Sequence, residues 1–450
     1  MSSTSPHGPQ PKRRAFLGMA GAAGAGLLTA CGSGTKLGTD QGDSKPVPSF
    51  SGGDYKGPKV TLEYWNGFTG GDGPHMKSMV DAFNTQFKGR IEVRNTTRRW
   101  ENLYPALPTS IAAGKGPDVA VIHIDWVATL AARRTLVPLD DVVAALGLSE
   151  SDFIPAIWQA GVYGGKRYSV PLDVHCLAAY WNTRHLTRAG LDKAPTDRAG
   201  FEGALGELKD AGVKYPFWMP NEWPAHLMFM TLLWQFGGEL YDAEGTAALW
   251  GSDAGVEAMR WMVGQIDDGH SPRQVALDAQ YNAFKNNKVS VTWDGIWQLN
   301  DLKSNARSIS WQMAPVPVIG DTPAVWSSSH NFVMTSQATR DRNKVQAARF
   351  FIDYMSRQST EWAKAGMIPA RNSVRKEPAV AKLPQTALAK DVSVFHFPPP
   401  VPGIGDVQSK ALELAVQKAV LKQQSPAKAL AEGVRTANQL LAENKKKYAK

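Results

Sequence analysis

Fifteen tryptophans are spread over 450 residues, and several stand directly beside a carboxylate or an amide. Trp65-Asn66, Asp125-Trp126, Glu222-Trp223 and the group Trp293, Asp294 and Trp297 are of this kind. An indole offers a large apolar face with few rotors, and a carboxylate or amide bridges neighbouring hydroxyls with charge-assisted hydrogen bonds. Together they suit a ring with apolar C–H faces and a hydroxyl rim, the chemistry of a sugar. Each also has a plainer reading. Trp65 can cap a core, Trp218 can pack a loop, and Trp293 and Trp297, four apart across a turn, can anchor the helix that follows. Ser328, Ser329 and His330 precede the strand pattern Asn331-Phe332-Val333-Met334, and either line such a site or cap that strand.

Other chemistries lack their residues. There is no Gly-x-x-x-x-Gly-Lys-Ser/Thr loop, no His-Glu-x-x-His and no Gly-x-Ser-x-Gly. The nine histidines are scattered, with none at a paired ligand spacing, so neither a metal nor another cofactor is expected. The two cysteines, Cys31 and Cys176, allow at most one bridge. Cys176 sits in the apolar run Cys176-Leu177-Ala178-Ala179 and reads as a small buried hydrophobe. Lys12, Arg13 and Arg14 supply three of the nine net positive charges, and the rest mix with acids along the chain, which argues against a nucleic-acid surface.

The elements that must position these residues alternate between strand and helix. Val60, Leu62 and Tyr64 recur at period two, and Met76, Met79, Val80, Phe83 and Phe87 recur at helical spacing. Ile91-Glu92-Val93 and the continuous run Asp118 to Ile122 are further strands, the latter fitting a sheet covered on both faces. The same grammar returns in Leu177 to Trp181, Ala225 to Trp234, Val256 to Ile266, Val289 to Trp293 and Val345 to Met355. Two helices close the chain, at Ala411 to Val420 and Ala427 to Leu441, the second with Ser425 as N-cap and Pro426 at its first position. The order argues an α/β protein with parallel or mixed sheets. Its length suggests two to three domains. No apolar run approaches the ~20 residues of a spanning helix, so a polytopic membrane protein is not expected.

The N-terminus reads as an address. Lys12-Arg13-Arg14-Ala15-Phe16-Leu17 opens a short apolar stretch that ends in Leu28-Thr29-Ala30-Cys31. The first part resembles a twin-arginine export signal and the second a bacterial lipobox, in which the cysteine is acylated. Residues 31–57 are rich in Gly, Ser, Pro and Asp and read as a flexible tether. The expectation is a chain held at the extracellular face of the cytoplasmic membrane by lipid on Cys31.

The mature chain resembles the extracellular solute-binding proteins of ATP-binding-cassette importers (family 1), specifically the sugar-binding group related to the maltose-binding protein. The resemblance rests on Val60 to Trp65, Gly116-Pro117-Asp118-Val119, Gly164 to Pro171 followed by Tyr180-Trp181-Asn182, and Ala283-Phe284-Lys285. It continues through Val291 to Trp297, Ala314 to Pro317, Ala347 to Met355, Gly366 to Ala370 and Ser425 to Leu430. Pro105 and Pro108 depart from it by interrupting the second helix of the first lobe, as does the aromatic, proline-rich stretch from Pro216 to Pro224. The resemblance implies a two-lobed periplasmic-binding-protein-like α/β fold, each lobe a mixed sheet flanked by helices. Residues 58–172 and 315–365 would form lobe 1, and 173–314 and 366–450 lobe 2. Crossovers are expected near Leu172, Pro315 and Gly366. Asp125 matches a ligand-binding acid of the family, and Arg371 a position that can reach ligand. At the first crossover, either Asp173 or His175 would face the cleft, or both would serve hinge hydrogen bonds. Ligand-binding candidates are thus Trp65, Asn66, Asp125, Trp126, Asp173, His175, Glu222, Trp223, Trp293, Asp294, Trp297, Ser329 and Arg371. The implied partners are a carbohydrate, of di- or oligosaccharide size from the tryptophan count, and the permease of an importer, with the chain a monomer. Two alternatives stay open. A secreted glycoside hydrolase would pair Asp125 with Asp294 or Glu222, and the same fold could hold a non-sugar solute.

Overall fold

The computed structural model describes residues 50–448. The expected signal at 1–30, Cys31 and the first part of the tether lie outside the described residues. In chain order the strands are β1 (Val60–Asn66), β2 (Ile91–Thr97), β3 (Val119–His123), β4 (Leu136–Val137), β5 (Val162–Tyr163), β6 (Lys166–Arg167), β7 (Val170–Pro171) and β8 (Asp173–Asn182). They continue as β9 (Val291–Gly295), β10 (Trp311–Ala314), β11 (Val325–Ser328), β12 (His330–Thr335), β13 (Ile368–Pro369) and β14 (Phe395–His396). The helices that matter below are α1 (Gly73–Gln86), α2 (Trp100–Ala112), α3 (Ile124–Ala132), α4 (Ala225–Gln235), α5 (Asp253–Asp267), α6 (Leu299–Asn305), α7 (Arg342–Arg357), α8 (Ser359–Ala363), α9 (Ile404–Val407), α10 (Glu413–Val420) and α11 (Pro426–Tyr448).

The first lobe is built on a sheet of order β2-β1-β3-β12-β4, with β7 also on β12. β1 runs parallel to β2 and β3, whereas β12 is antiparallel to β3, so the sheet is mixed. The period-two pattern of β1 sends Leu62 and Tyr64 to one face and Trp65 to the other, and both faces are covered. On the first face α1 and α7 meet, with Phe83 edge-on to Phe351 at 4.9 Å and Tyr64 edge-on to Phe351 at 5.3 Å. On the second face α2 lays Leu103, Leu107 and Ile111 over Trp65, Ala120, Ile122 and Val333. α2 runs straight through Pro105 and Pro108, against the interruption expected there. Each proline removes one helical N–H. The burial of the apolar stripe outweighs that loss, and the Thr109 hydroxyl donates to the carbonyls of Pro105 and Ala106 at 3.2 and 3.0 Å.

The second lobe centres on β8, ten residues that are all buried. The order is β10-β8-β11-β14, and β9 and β13 also pair with β8. α4 is buried along its whole length, which explains why it is apolar on every side. The C-terminal helices α10 and α11 pack on α4 and α5. Among the described residues no helix is long and apolar enough to cross a membrane.

The chain passes between the sheets at three adjacent places. It leaves the first sheet after β7 and enters the second at Asp173, through Leu172. It returns between β11 and β12, at Ser329, well beyond Pro315, because Val325–Ser328 still pair within the second sheet. It crosses again between α8 and β13, where Ile368 and Pro369 pair with Val174 and Asp173. Backbone hydrogen bonds from Leu172 to His330 (2.8 Å) and from Ala370 to Leu172 (3.4 Å) hold the three crossings side by side.

Candidate functional site

One end of the first sheet faces the second lobe at the carboxyl ends of β1 to β3, where ligands bind in open α/β sheets. After β1 the chain turns through Phe68 and two close-packed glycines into α1. After β2 it starts α2 at Trp100, and after β3 it starts α3 at Ile124. These turns bring Phe68, Trp100, Tyr104, His123, Asp125 and Trp126 to one edge. From the second lobe come His175 on β8, Trp326 on β11, Trp297 just after β9 and Trp223 before α4.

The rings form a continuous belt across the lobes. Trp126 stacks on Tyr104 at 4.2 Å and 5°, and Tyr104 stacks on Trp100 at 6.1 Å. Trp100 meets His123 at 4.2 Å and lies parallel to His330 at 5.3 Å. His330 stacks on His175 at 4.1 Å, which lies 5.8 Å from both Trp297 and Trp326. Trp223 extends the belt, 5.9 Å from Trp297, with 37% of its surface exposed to solvent.

Asp173 is the polar hub beneath this belt. Its carboxylate accepts from the backbone N–H of His330 (3.1 Å), the indole N–H of Trp362 on α8 (2.7 Å), and the Nδ1 of His330 and His175 (2.9 and 3.1 Å). It thereby ties all three crossings together. Burial by itself would raise this carboxyl, but the His330 and His175 imidazoles, by charge and hydrogen bond, hold it well below the usual range. His175 is pushed down to about 4 by its burial and by His330, and His123 is lowered for the same reasons, so both are neutral at pH 7. Asp125 is pushed up to about 6 by burial, with Glu413 adding to the rise. Asp72 is likewise raised to about 6, chiefly by burial, and its Oδ1 has no hydrogen-bond partner.

The candidate residues divide. Asp125, Trp126, His175, Trp223 and Trp297 lie on the belt or beside it. Asp173 serves the crossings, and Glu222 is exposed next to Trp223. Four others belong to the scaffold. Trp65 is in the core under α2, with the Arg98 guanidinium 4.0 Å over its ring. Asn66 is buried and spends its amide on Asn95 (2.6 Å) and the Phe68 N–H (3.2 Å), fixing the turn. Trp293 is buried among Phe201, Phe217 and Trp261. Arg371 lies away from the belt and donates to Ser356 Oγ at 2.7 Å. Asp294 is buried at the end of β9 and accepts from the Gly295 N–H at 2.7 Å, while Ser329 is buried at the return crossing.

Sequence reasoning missed Trp100, Tyr104, Trp326 and Trp362; Tyr104 and Trp326 carry no adjacent carboxylate or amide, whereas Trp100 and Trp362 adjoin Glu101 and Glu361 and were passed over. It read the nine histidines as scattered, yet His123, His175 and His330 meet in space. They lie on three different strands, His123 at the end of β3, His175 within β8 and His330 at the start of β12, so no local spacing could reveal them.

Two close approaches join the lobes beside the belt. A Cβ on Gly71 would stand 2.6 Å from the Asp301 backbone nitrogen of α6, and Asn300 Nδ2 lies 3.0 Å from His75 Nε2 of α1. On the other flank Arg133, just after α3, reaches Asp406 at 3.3 Å and the Tyr448 hydroxyl at 2.8 Å, and the Gly403 N–H donates to Thr129 Oγ1 at 2.8 Å.

Comparison with known proteins fits this geometry. Residues 78–388 match the family described as bacterial extracellular solute-binding protein. A maltotriose-binding protein of Pyrococcus abyssi (strain GE5 / Orsay) is 23% identical over 296 residues, 63% of this chain, and the chain spans 61% of that relative's length. Among solved structures, the GacH receptor of Streptomyces glaucescens GLA.O, studied unliganded and with acarbose, superposes with a TM-score of 0.77 at 22% identity, covering 86% of this chain and 99% of that one. The maltose/maltodextrin-binding domain of Bdellovibrio bacteriovorus, bound to maltotriose, gives 0.73 at 20% identity, covering 84% and 99%.

Proposed function

The chain belongs to the bacterial extracellular solute-binding proteins, and on that premise we propose that it captures a di- or oligosaccharide between its lobes for an ATP-binding-cassette importer. The observation that carries the reading is the aromatic belt, with polar groups set along it. Trp100, Trp126, Trp223 and Trp297 offer successive platforms for sugar rings, and Asp125 and Glu222 stand beside them to take hydroxyls. Several platforms suit a chain of sugars better than a single ring. The maltotriose-binding relative and the acarbose-bound receptor point the same way. A ligand touching both lobes favours the closed arrangement over the open one, and the three crossings bound to Asp173 are the natural hinge. Membrane subunits of the importer would read the closed shape. Acylation at Cys31 after export would hold the chain at the outer face of the membrane. The role is binding without turnover, so the sugar leaves intact.

Thermal unfolding with a panel of mono- and oligosaccharides tests this. A ligand at ~100 times its dissociation constant adds about 2.7 kcal/mol of stability. A shift with an oligosaccharide that chromatography recovers unchanged is the expected result. Cleaved sugar overturns the reading in favour of a hydrolase, and no shift with any sugar overturns it in favour of another solute.

A further inference from the structure

His123 ends β3, His175 lies in β8 and His330 begins β12, and the ring nitrogens they can offer lie within 4.8 Å of one another. An ionised carboxylate only accepts hydrogen bonds. The Nδ1 atoms of His175 and His330 must therefore carry the protons they share with Asp173, at 3.1 and 2.9 Å. That tautomer leaves a lone pair on the Nε2 of each ring. The Nδ1 of His123 is engaged by the Tyr104 hydroxyl, which also accepts the His123 backbone N–H at 3.1 Å. Among the described residues no hydrogen bond engages the Nε2 of any of the three. One nitrogen held by a carboxylate or hydroxyl and the other left free is how histidines are oriented for a metal ion. Three nitrogens bonded at about 2.0–2.1 Å around a tetrahedral ion stand roughly 3.4 Å apart. Ring nitrogens that lie within 4.8 Å of one another reach that spacing by adjustment of the three side chains. The unpartnered Oδ1 of Asp72, in a carboxyl within electrostatic reach of His330 and Asp173, adds a second acidic group near the cluster.

The geometry points to a binding site for a divalent first-row transition-metal ion, of the class of Zn²⁺, at the floor of the cleft, held by His123, His175 and His330. Imidazole ligands select this class over Mg²⁺ or Ca²⁺, and three of them leave a fourth position for water or a ligand oxygen. Asp173 and Tyr104 orient the rings. The site does not depend on which solute the cleft takes, and its ligands come from both lobes, two from the first and one from the second.

The test is a titration of the full, untagged chain, freed of metal by a chelator and with no sugar present, using Co²⁺ as the probe and Zn²⁺ as competitor. The expected result is one equivalent of Co²⁺ with a visible ligand-field band, displaced by Zn²⁺. His123→Gln, at the partly exposed ring, and His175→Gln each abolish that band, with circular dichroism checking that the fold is kept. Tyr104→Phe, which removes only the orienting hydroxyl, weakens binding about 10-fold. No saturable binding by the wild-type chain overturns the proposal. So does binding that survives in His123→Gln, because the ion then sits elsewhere.

Discussion

Trp293 and Trp297 stand four residues apart and live in different worlds. Trp293 lies within β9, stacked on Trp261 at 5.7 Å and 17°, with Phe201 and Phe217 beside it and its indole N–H unpartnered. Trp297 lies past the turn, half-buried, among His175, Trp223 and Trp326. Gly295 makes the difference possible. A Cβ there would stand 2.0 Å from the Trp297 ring, so only glycine lets that indole fold back over the turn. The comparison teaches that an aromatic residue beside a carboxylate is not yet a site. The core indole is walled by other apolar rings, whereas the cleft indole meets the His175 imidazole and the solvent-exposed Trp223.

Breaking the core member should cost most. Trp293→Ala is expected to destabilise the fold by about 3–5 kcal/mol, measured by chemical denaturation, because it leaves a large cavity. Trp65→Ala should behave alike and leave sugar affinity unchanged. Loss of affinity at full stability would erase the distinction between core and cleft.

The turn between the two indoles carries its own signature. Burial pushes Asp294 up to about 7, Asp278 adding to the rise, while the hydrogen bonds from Gly295, Gln298 and Trp297 oppose it. A carboxyl raised in the folded state binds more protons there than in the unfolded chain between pH ~4 and ~7. Its contribution to stability is therefore present in acid and lost as pH rises through that window. Asp294→Asn should be more stable than wild type at pH 8, by on the order of 1–4 kcal/mol, with the gap closing toward pH 4. A gap that does not change with pH would show that Asp294 is ionised throughout.

Trp297→Ala should weaken sugar binding roughly tenfold, about 1.4 kcal/mol, by calorimetry, with little change in denaturation midpoint. The smallest effect is expected at Arg371. Arg371→Ala removes a hydrogen bond worth about 1 kcal/mol of stability and should leave affinity untouched.

The strands and helices were legible because period and composition act locally. β1, β3, β8 and α7 each follow the pattern of their own residues. α2 shows the limit, since Pro105 and Pro108 argue against a helix that tertiary burial of Leu103, Leu107 and Ile111 imposes. The return crossing shows another. Ser327 and Ser328 pair with β8, and Val325 and Trp326 with β14, through long-range contacts that no run of residues announces. Part of the candidate site could be read where a polar and an aromatic residue adjoin, as in Asp125-Trp126 and Glu222-Trp223. Trp65-Asn66 has the same look, but both sheet faces are covered, so its indole faces α2 and not the cleft. The histidine cluster was hidden because it is assembled by three crossings and not by spacing.

Gly71 gives the molecule a mechanical handle. Its bare α-carbon lets the first lobe's loop rest against the start of α6, where even one methyl group would collide with backbone at 2.6 Å. Gly71→Ala would act as a doorstop, propping the jaws ajar without touching the aromatic belt. Such a variant would uncouple recognition by a single jaw from the clamping step. Small-angle scattering would register it as a chain that stays extended when sugar is added.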